Sequence, residues 1–179
     1  MVIKVSLAFV DMFRVLALCG PVGSGKSVAL NYLKMNGYSI INFADPAIIG
    51  TKSLFLLNDD QMRNNINVTL CNGVIINPSD ALNFIQRDVF QHNIHHLTPG
   101  MGNVFWPTIA ISRILRHPGK YVIGNIPSSV EYYELKKYIP DSLVIKITNR
   151  SLPSTDYVPF DLEIFNNDSM VHHLSVIKD

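Results

Sequence analysis

Charge is scarce in this chain of 179 residues. Only 16% are Asp, Glu, Lys or Arg, and 15 basic residues nearly balance 14 acidic ones, for a formal net charge of +1. That balance excludes a generic nucleic-acid binder held by bulk positive charge. A hydrophobic content of 47% excludes a disordered chain. Cysteine is nearly absent. Cys19 and Cys71 lie far apart without metal-type spacing, so both read as reduced packing residues of a cytoplasmic protein. No apolar run is long enough to span a membrane. Val5 to Val10 is too short for a signal-peptide core, and Asp11 and Arg14 interrupt its continuation. Repeats, low-complexity tracts and linkers are also lacking, so residues 1–179 read as one domain with room for a sizeable core. Residues 1–11 precede Met12 and the first strand and read as an N-terminal extension or an early start.

What is present is an alternation of strands and helices. Arg14 to Cys19 (RVLALC) reads as a buried strand. Lys26 to Met35 reads as a helix with Val28, Leu30 and Leu33 on its apolar face, closed by Gly37 at C′. Ser39 to Phe43 is a second strand. Residues 46–118 read as a mostly helical arm with polar turns. One of its helices starts at Asn77-Pro78-Ser79-Asp80 with Ser79 or Asp80 as N-cap, and another runs from Val104 to Arg116 with Pro107 in its first turn. Strands follow at Tyr121 to Ile126, Leu143 to Thr148 and Asp161 to Phe165. Helices are expected at Ser129 to Tyr138 and Val171 to Lys178. This order predicts an α/β fold: a parallel β-sheet of about five strands flanked by helices on both faces.

Between the first strand and first long helix stands Gly20-Pro-Val-Gly-Ser-Gly-Lys-Ser27, a full match to G-x-x-x-x-G-K-[ST]. Each part has a physical task. Gly20, Gly23 and Gly25 let the backbone bend so that N–H groups along Val22, Gly23, Ser24 and Gly25 point at phosphate oxygens. The helix N-terminus adds partial positive charge. Lys26 reaches the β- and γ-phosphates, and the Ser27 hydroxyl takes one position on Mg²⁺. The expected donor is ATP with Mg²⁺, and the fold that goes with the loop is that of a P-loop NTPase.

Transfer also needs an acceptor held in line and cations around the moving phosphoryl group. Asp45 follows the second strand, where a parallel sheet opens its ligand crevice; it reads either as a site carboxylate or as a helix N-cap ahead of Pro46. Arg87 and Gln91 are four apart, so they read as one helix face that suits a phosphate and a base edge, or as a solvated polar face. Trp106 reads as core or as a wall of the acceptor pocket, and Arg113 and Arg116 as solvated or phosphate-reaching. Arg150, at the base of the Ser/Thr/Pro-rich loop 151–159, reads as a lid residue or as part of a surface loop. His92, His95 and His96 lack a third ligand of suitable spacing.

Taken in order, the phosphate loop, Phe43-Ala44-Asp45-Pro46, Arg87-x-x-x-Gln91, Trp106, Ile147-Thr-Asn-Arg150 and Asp161-Leu-Glu-Ile-Phe-Asn166-Asn-Asp-Ser-Met resemble the phage-type deoxynucleoside monophosphate kinases, across most of residues 12–179. The resemblance implies phosphoryl transfer from ATP to a deoxynucleoside monophosphate, with Mg²⁺. Arg87 would clamp the acceptor phosphate, Gln91 and Trp106 would line the acceptor pocket, and Arg150 would act from the lid. The partner is then a small-molecule nucleotide, with neither nucleic acid nor membrane, and the apolar content allows a homodimer.

The departures are specific. The family carries an acid and an arginine after its third parallel strand, where this chain has Asn125 and Pro127. An arginine-bearing Gly-Thr segment is replaced by Asn93 to Gly102, and the lid lacks the family's His and Ser-Glu pair around Asp156. Two other readings therefore stand beside the first: a dephospho-coenzyme A kinase-like or other small-metabolite kinase, and a catalytically degenerate nucleotide-binding protein.

Overall fold

A computed structural model describes residues 7–71, 73–89, 104–149 and 158–166, with backbone alone at 7, 8 and 87–89. The chain runs α1 (Leu7–Val10), β1 (Val15–Cys19), α2 (Lys26–Met35), β2 (Tyr38–Ile41), α3 (Asp45–Phe55), α4 (Asp59–Asn64), β3 (Val68–Thr69), β4 (Ile75–Ile76) and α5 (Pro78–Asn83). A π turn over Phe84–Val89 precedes α6 (Phe105–Arg116), β5 (Lys120–Ile123), α7 (Ser129–Tyr138), β6 (Leu143–Thr148) and β7 (Leu162–Phe165). It divides into two compact units, Met1–Phe43 with Ala110–Asp179, and Ala44–Ile109. The expected closing helix Val171 to Lys178 lies outside the described residues.

The first unit is built on a five-stranded, wholly parallel sheet in the order β2-β5-β1-β6-β7. β1 takes the centre because VLALC is apolar throughout, as a strand covered on both faces must be, and all five residues are buried. Val15, Ala17 and Cys19 pack with Ala110, Ile111 and Ile114 of α6 and Leu135 of α7. Leu16 and Leu18 face the other way, onto Val10 of α1 and Leu33 of α2. A fully buried side chain of this size contributes roughly 1.5–3 kcal/mol, so these two layers hold the sheet. The result is the expected α/β architecture, compatible with a P-loop NTPase.

Local chemistry sets the element ends. Arg14 donates to the carbonyls of Ile114 and His117 (2.7 Å each) and, through Nε, to Gly119 (3.2 Å). It thereby satisfies the C-terminal end of α6, where a cation is favoured. Ser128 and Glu131 form a capping box at the start of α7. Asp161 Oδ2 accepts from Val144 N and Lys136 Nζ (2.7 Å each), which fixes where β7 begins. The segment read as an extension joins this unit: Val10 is buried, and the Tyr38 hydroxyl shares its proton between the carbonyls of Val10 (2.9 Å) and Phe13 (3.0 Å). Burial raises the Tyr38 pKa, partly offset by nearby Lys120.

In the second unit α3 packs against α5 and the π turn. Two expectations are corrected here. The N-cap of α5 is Asn77, whose side chain accepts from Ser79 N (3.0 Å) and Asp80 N (3.2 Å); Ser79 and Asp80 are already helical, because Pro78 occupies the first turn, where its missing N–H costs nothing. The arm also contains an antiparallel hairpin, Val68↔Ile76 and Thr69↔Ile75, closed by Gly73 at φ +81°. Two-residue strands leave no periodic trace in a sequence.

Candidate functional site

The phosphate loop leaves the C-terminal end of β1 and enters α2. Three of its residues sit in the left-handed region: Gly20 at φ +127°, Gly23 at +83° and Gly25 at +101°. Gly20 is required twice over, because a Cβ there would stand 2.1 Å from the Ile147 carbonyl oxygen of β6. Gly25 is the N-cap of α2, with no side-chain cap bond and no acidic residue in the first turn. Its carbonyl accepts from Val28 N (3.1 Å) and Ala29 N (3.2 Å), and Ser24 N donates to Pro21 O (3.2 Å). The helix therefore begins without a side-chain anion, an arrangement suited to an external one.

Lys26 folds back over the loop, and its Nζ donates to Gly20 O (2.6 Å) and Pro21 O (2.9 Å). These bonds fix the ammonium against the loop backbone. Val22 stands at the tip, 93% exposed, whereas Ser24 is wholly buried. Ser27 is exposed in the first turn of α2. No group of three or more His, Cys, Asp or Glu side chains placed to hold a metal occurs among the described residues. The Ser27 hydroxyl fits an ion such as Mg²⁺, which fills most of its shell with phosphate and water.

Asn166, the residue after β7, is a contact that sequence reading left out of the site. Its Nδ2 donates to Ser24 O (3.0 Å), and its N–H to Thr148 O of β6 (2.7 Å). The available signal was positional: residues just past the strand ends of a parallel sheet line its ligand edge. Asn125 and Pro127, the two departures from the family pattern, are both exposed beyond β5. Arg113 and Arg116 are exposed in the last turn of α6.

The remaining candidates belong to the second unit or fall outside description. Asp45 is the first residue of α3, with Ala44 as N-cap and Pro46 next in line. This corrects its reading as an N-cap; its carboxylate instead adds favourable charge to the first turn. Trp106 is half-buried in α6, edge-on to Phe105 with ring centroids 5.0 Å apart. Arg87 lies within the π turn rather than on an α-helical face, and its side chain is outside the described residues. Gln91, Arg150, His92, His95 and His96 also lie outside them. Cys19 is buried as expected, but Cys71 is exposed, which corrects its reading as a packing residue.

No helix among the described residues is long and apolar enough to cross a membrane. No family model matches the chain, and no curated protein matches it either. Among solved structures it is similar to TT1252 from Thermus thermophilus, with 12% sequence identity over 91% of this chain and 93% of that one, at a TM-score of 0.45.

Proposed function

We propose that this chain is a nucleotide kinase that transfers the γ-phosphoryl group of ATP to a deoxynucleoside monophosphate, giving ADP and the diphosphate. The observation that carries the donor half is the loop Gly20–Ser27: three left-handed glycines, an uncapped helix N-terminus, and Lys26 Nζ held by the carbonyls of Gly20 and Pro21. The backbone N–H groups and Lys26 would hold the triphosphate, and Ser27 would supply one ligand to Mg²⁺. Bound there, Mg²⁺ would neutralise charge that develops between the β- and γ-phosphates. The acceptor half rests on the resemblance, which gives Arg87, Gln91 and Trp106 to the monophosphate and Arg150 to the lid; Asp45 is taken as the site carboxylate from its position past the second strand.

The test is ADP release from ATP and Mg²⁺ against a panel of deoxynucleoside monophosphates. Turnover that depends on one of them supports the reading, and turnover with none refutes it. Lys26→Ala should abolish activity. Arg87→Ala should raise the acceptor KM more than it lowers kcat if the arginine clamps substrate. Exposed Asn125 and Pro127, in place of an acid and an arginine, favour a second reading, a nucleotide-binding protein without transfer. ATP binding without acceptor-dependent turnover is its signature. A small-metabolite acceptor such as dephospho-coenzyme A would declare itself by raising Tm through mass action.

A further inference from the structure

The contact between the last strand and the phosphate loop joins residues 142 positions apart. We propose that Asn166 is a positioning residue for the phosphate loop, setting the direction of the N–H groups that meet the phosphates. The inference rests on reading Gly20–Ser27 as a triphosphate site.

Asn166 is fixed from behind. Its N–H bonds Thr148 O, continuing the β6–β7 ladder in which Thr148 pairs with Phe165. Its amide orientation is set by chemistry, because only Nδ2 can face the Ser24 carbonyl; Oδ1 in that place would set two acceptors against each other. The Ser24–Gly25 peptide is planar and trans, so its C=O and N–H point in opposite directions. Holding Ser24 O toward Asn166 therefore aims Gly25 N–H away from Asn166. Lys26 holds the carbonyls of Gly20 and Pro21 in a similar way. The carbonyls of Gly20, Pro21 and Ser24 are thus turned toward protein donors, which favours an anion on the N–H side of the Ser24–Gly25 peptide.

A second observation concerns the polar atoms left unpaired at the same junction. Ser24 Oγ and Asn166 Oδ1 are both buried without a hydrogen-bond partner. Native structures leave few buried polar atoms unpaired, because each forfeits its hydration. An apolar side chain at 166 would remove the cost of the unpaired Oδ1 but would also remove the donor to the Ser24 carbonyl. The amide is retained at a cost, and what it supplies is the grip on Ser24 O.

The experiment titrates ATP and inorganic tripolyphosphate into the wild-type chain, Asn166→Ala and Asn166→Asp, well below each protein's Tm. Tripolyphosphate carries no base, so it reports on the loop alone. Asn166→Ala should bind both ligands roughly tenfold more weakly, the size expected for one lost hydrogen bond at a fixed site. Asn166→Asp, which preserves shape, should weaken both further by setting a carboxylate oxygen against the Ser24 carbonyl. It also carries the test if the alanine variant does not fold. Unchanged affinity for both ligands in the folded variants overturns the proposal. Weakened ATP with unchanged tripolyphosphate also overturns it, since the asparagine would then contact the base. Failure of the wild-type chain to bind either ligand removes the nucleotide reading itself, a separate result.

Discussion

Replacing Gly20 by alanine asks whether the phosphate loop is as tightly set against β6 as its geometry implies. Two costs arise. The first is conformational: at φ +127° an L-residue occupies a region that costs on the order of 1–3 kcal/mol. The second is steric: the new Cβ would meet Ile147 O at 2.1 Å, where real Cβ contacts below 3.0 Å essentially do not occur. Ile147 belongs to β6, hydrogen-bonded to β1 and β7 on either side, so the backbone oxygen cannot step aside alone. Forced displacement in a packed region costs about 1–3 kcal/mol.

Gly37→Ala separates the two terms. Gly37 has φ +87° but nothing within 4 Å of a would-be Cβ, so it bears the conformational cost alone. Gly50, inside α3, has ordinary φ and open space, so alanine there should stabilise by roughly 0.5–1 kcal/mol. At about 2–4 °C per kcal/mol for a chain of this size, Gly20→Ala should lower Tm by some 5–15 °C, Gly37→Ala by less than half as much, and Gly50→Ala should raise it slightly. Differential scanning calorimetry without ligand reads all three. A Gly20→Ala loss no larger than that of Gly37→Ala would show that the loop does not approach Ile147 as described.

Three further outcomes follow from the local chemistry. Burial is the largest influence on Glu131 and pushes its carboxyl above the ordinary 4.5, ahead of the Ser128 hydrogen bonds that lower it. The folded state therefore holds that proton more tightly than the unfolded chain, and the associated stability is present below about pH 4.5 and lost as pH rises through the folded pKa. Glu131→Gln keeps the capping box but cannot ionise, so urea unfolding should find it gaining on the wild type as pH rises toward neutrality; a pH-independent difference would contradict this. Asn77→Ala should cost about 1 kcal/mol by removing the cap that accepts from Ser79 N and Asp80 N, while Asn77→Asp should cost far less. Exposed Cys71 should react with a thiol reagent in the native protein and buried Cys19 only on unfolding, read as one modified cysteine per native chain by mass spectrometry.

The core strands and the turn conformation of the glycine-rich loop were legible because their signals are local. VLALC is an unbroken apolar run and LVIKIT is β-branched and apolar apart from Lys146 and Thr148, and α2 and α7 match their expected limits of Lys26–Met35 and Ser129–Tyr138. Their breakers and caps lie within a few residues of the ends. The hairpin at Val68–Thr69 was not legible, since two residues per strand carry no period. The Asn77 cap was misassigned by two or three positions, because Asn-Pro-Ser-Asp offers three capping side chains and only Pro78's place in the first turn decides among them. The widening of the helix to a π turn at Phe84–Val89, which includes Arg87, left no composition signal. Asn166 was visible as a strand-end asparagine, but its partner Ser24 lies almost the whole chain away.

That separation explains why a matching motif does not by itself make a phosphate site. Glycine supplies the freedom to adopt φ of +127°, +83° and +101°, and it supplies the same freedom to every other conformation. Fixing three glycines costs backbone entropy, because glycine loses more conformational freedom on folding than any other residue. Against this stand three side-chain hydrogen bonds to loop carbonyls, two from Lys26 and one from Asn166. Each contributes about 0.5–1.5 kcal/mol against that loss. The glycines permit the turn, and donors outside them help to hold it. One donor is part of the motif, and the other arrives only when β7 joins the sheet beside β6. A lesion in β7 should therefore reach the loop Gly20–Ser27 without touching the motif itself.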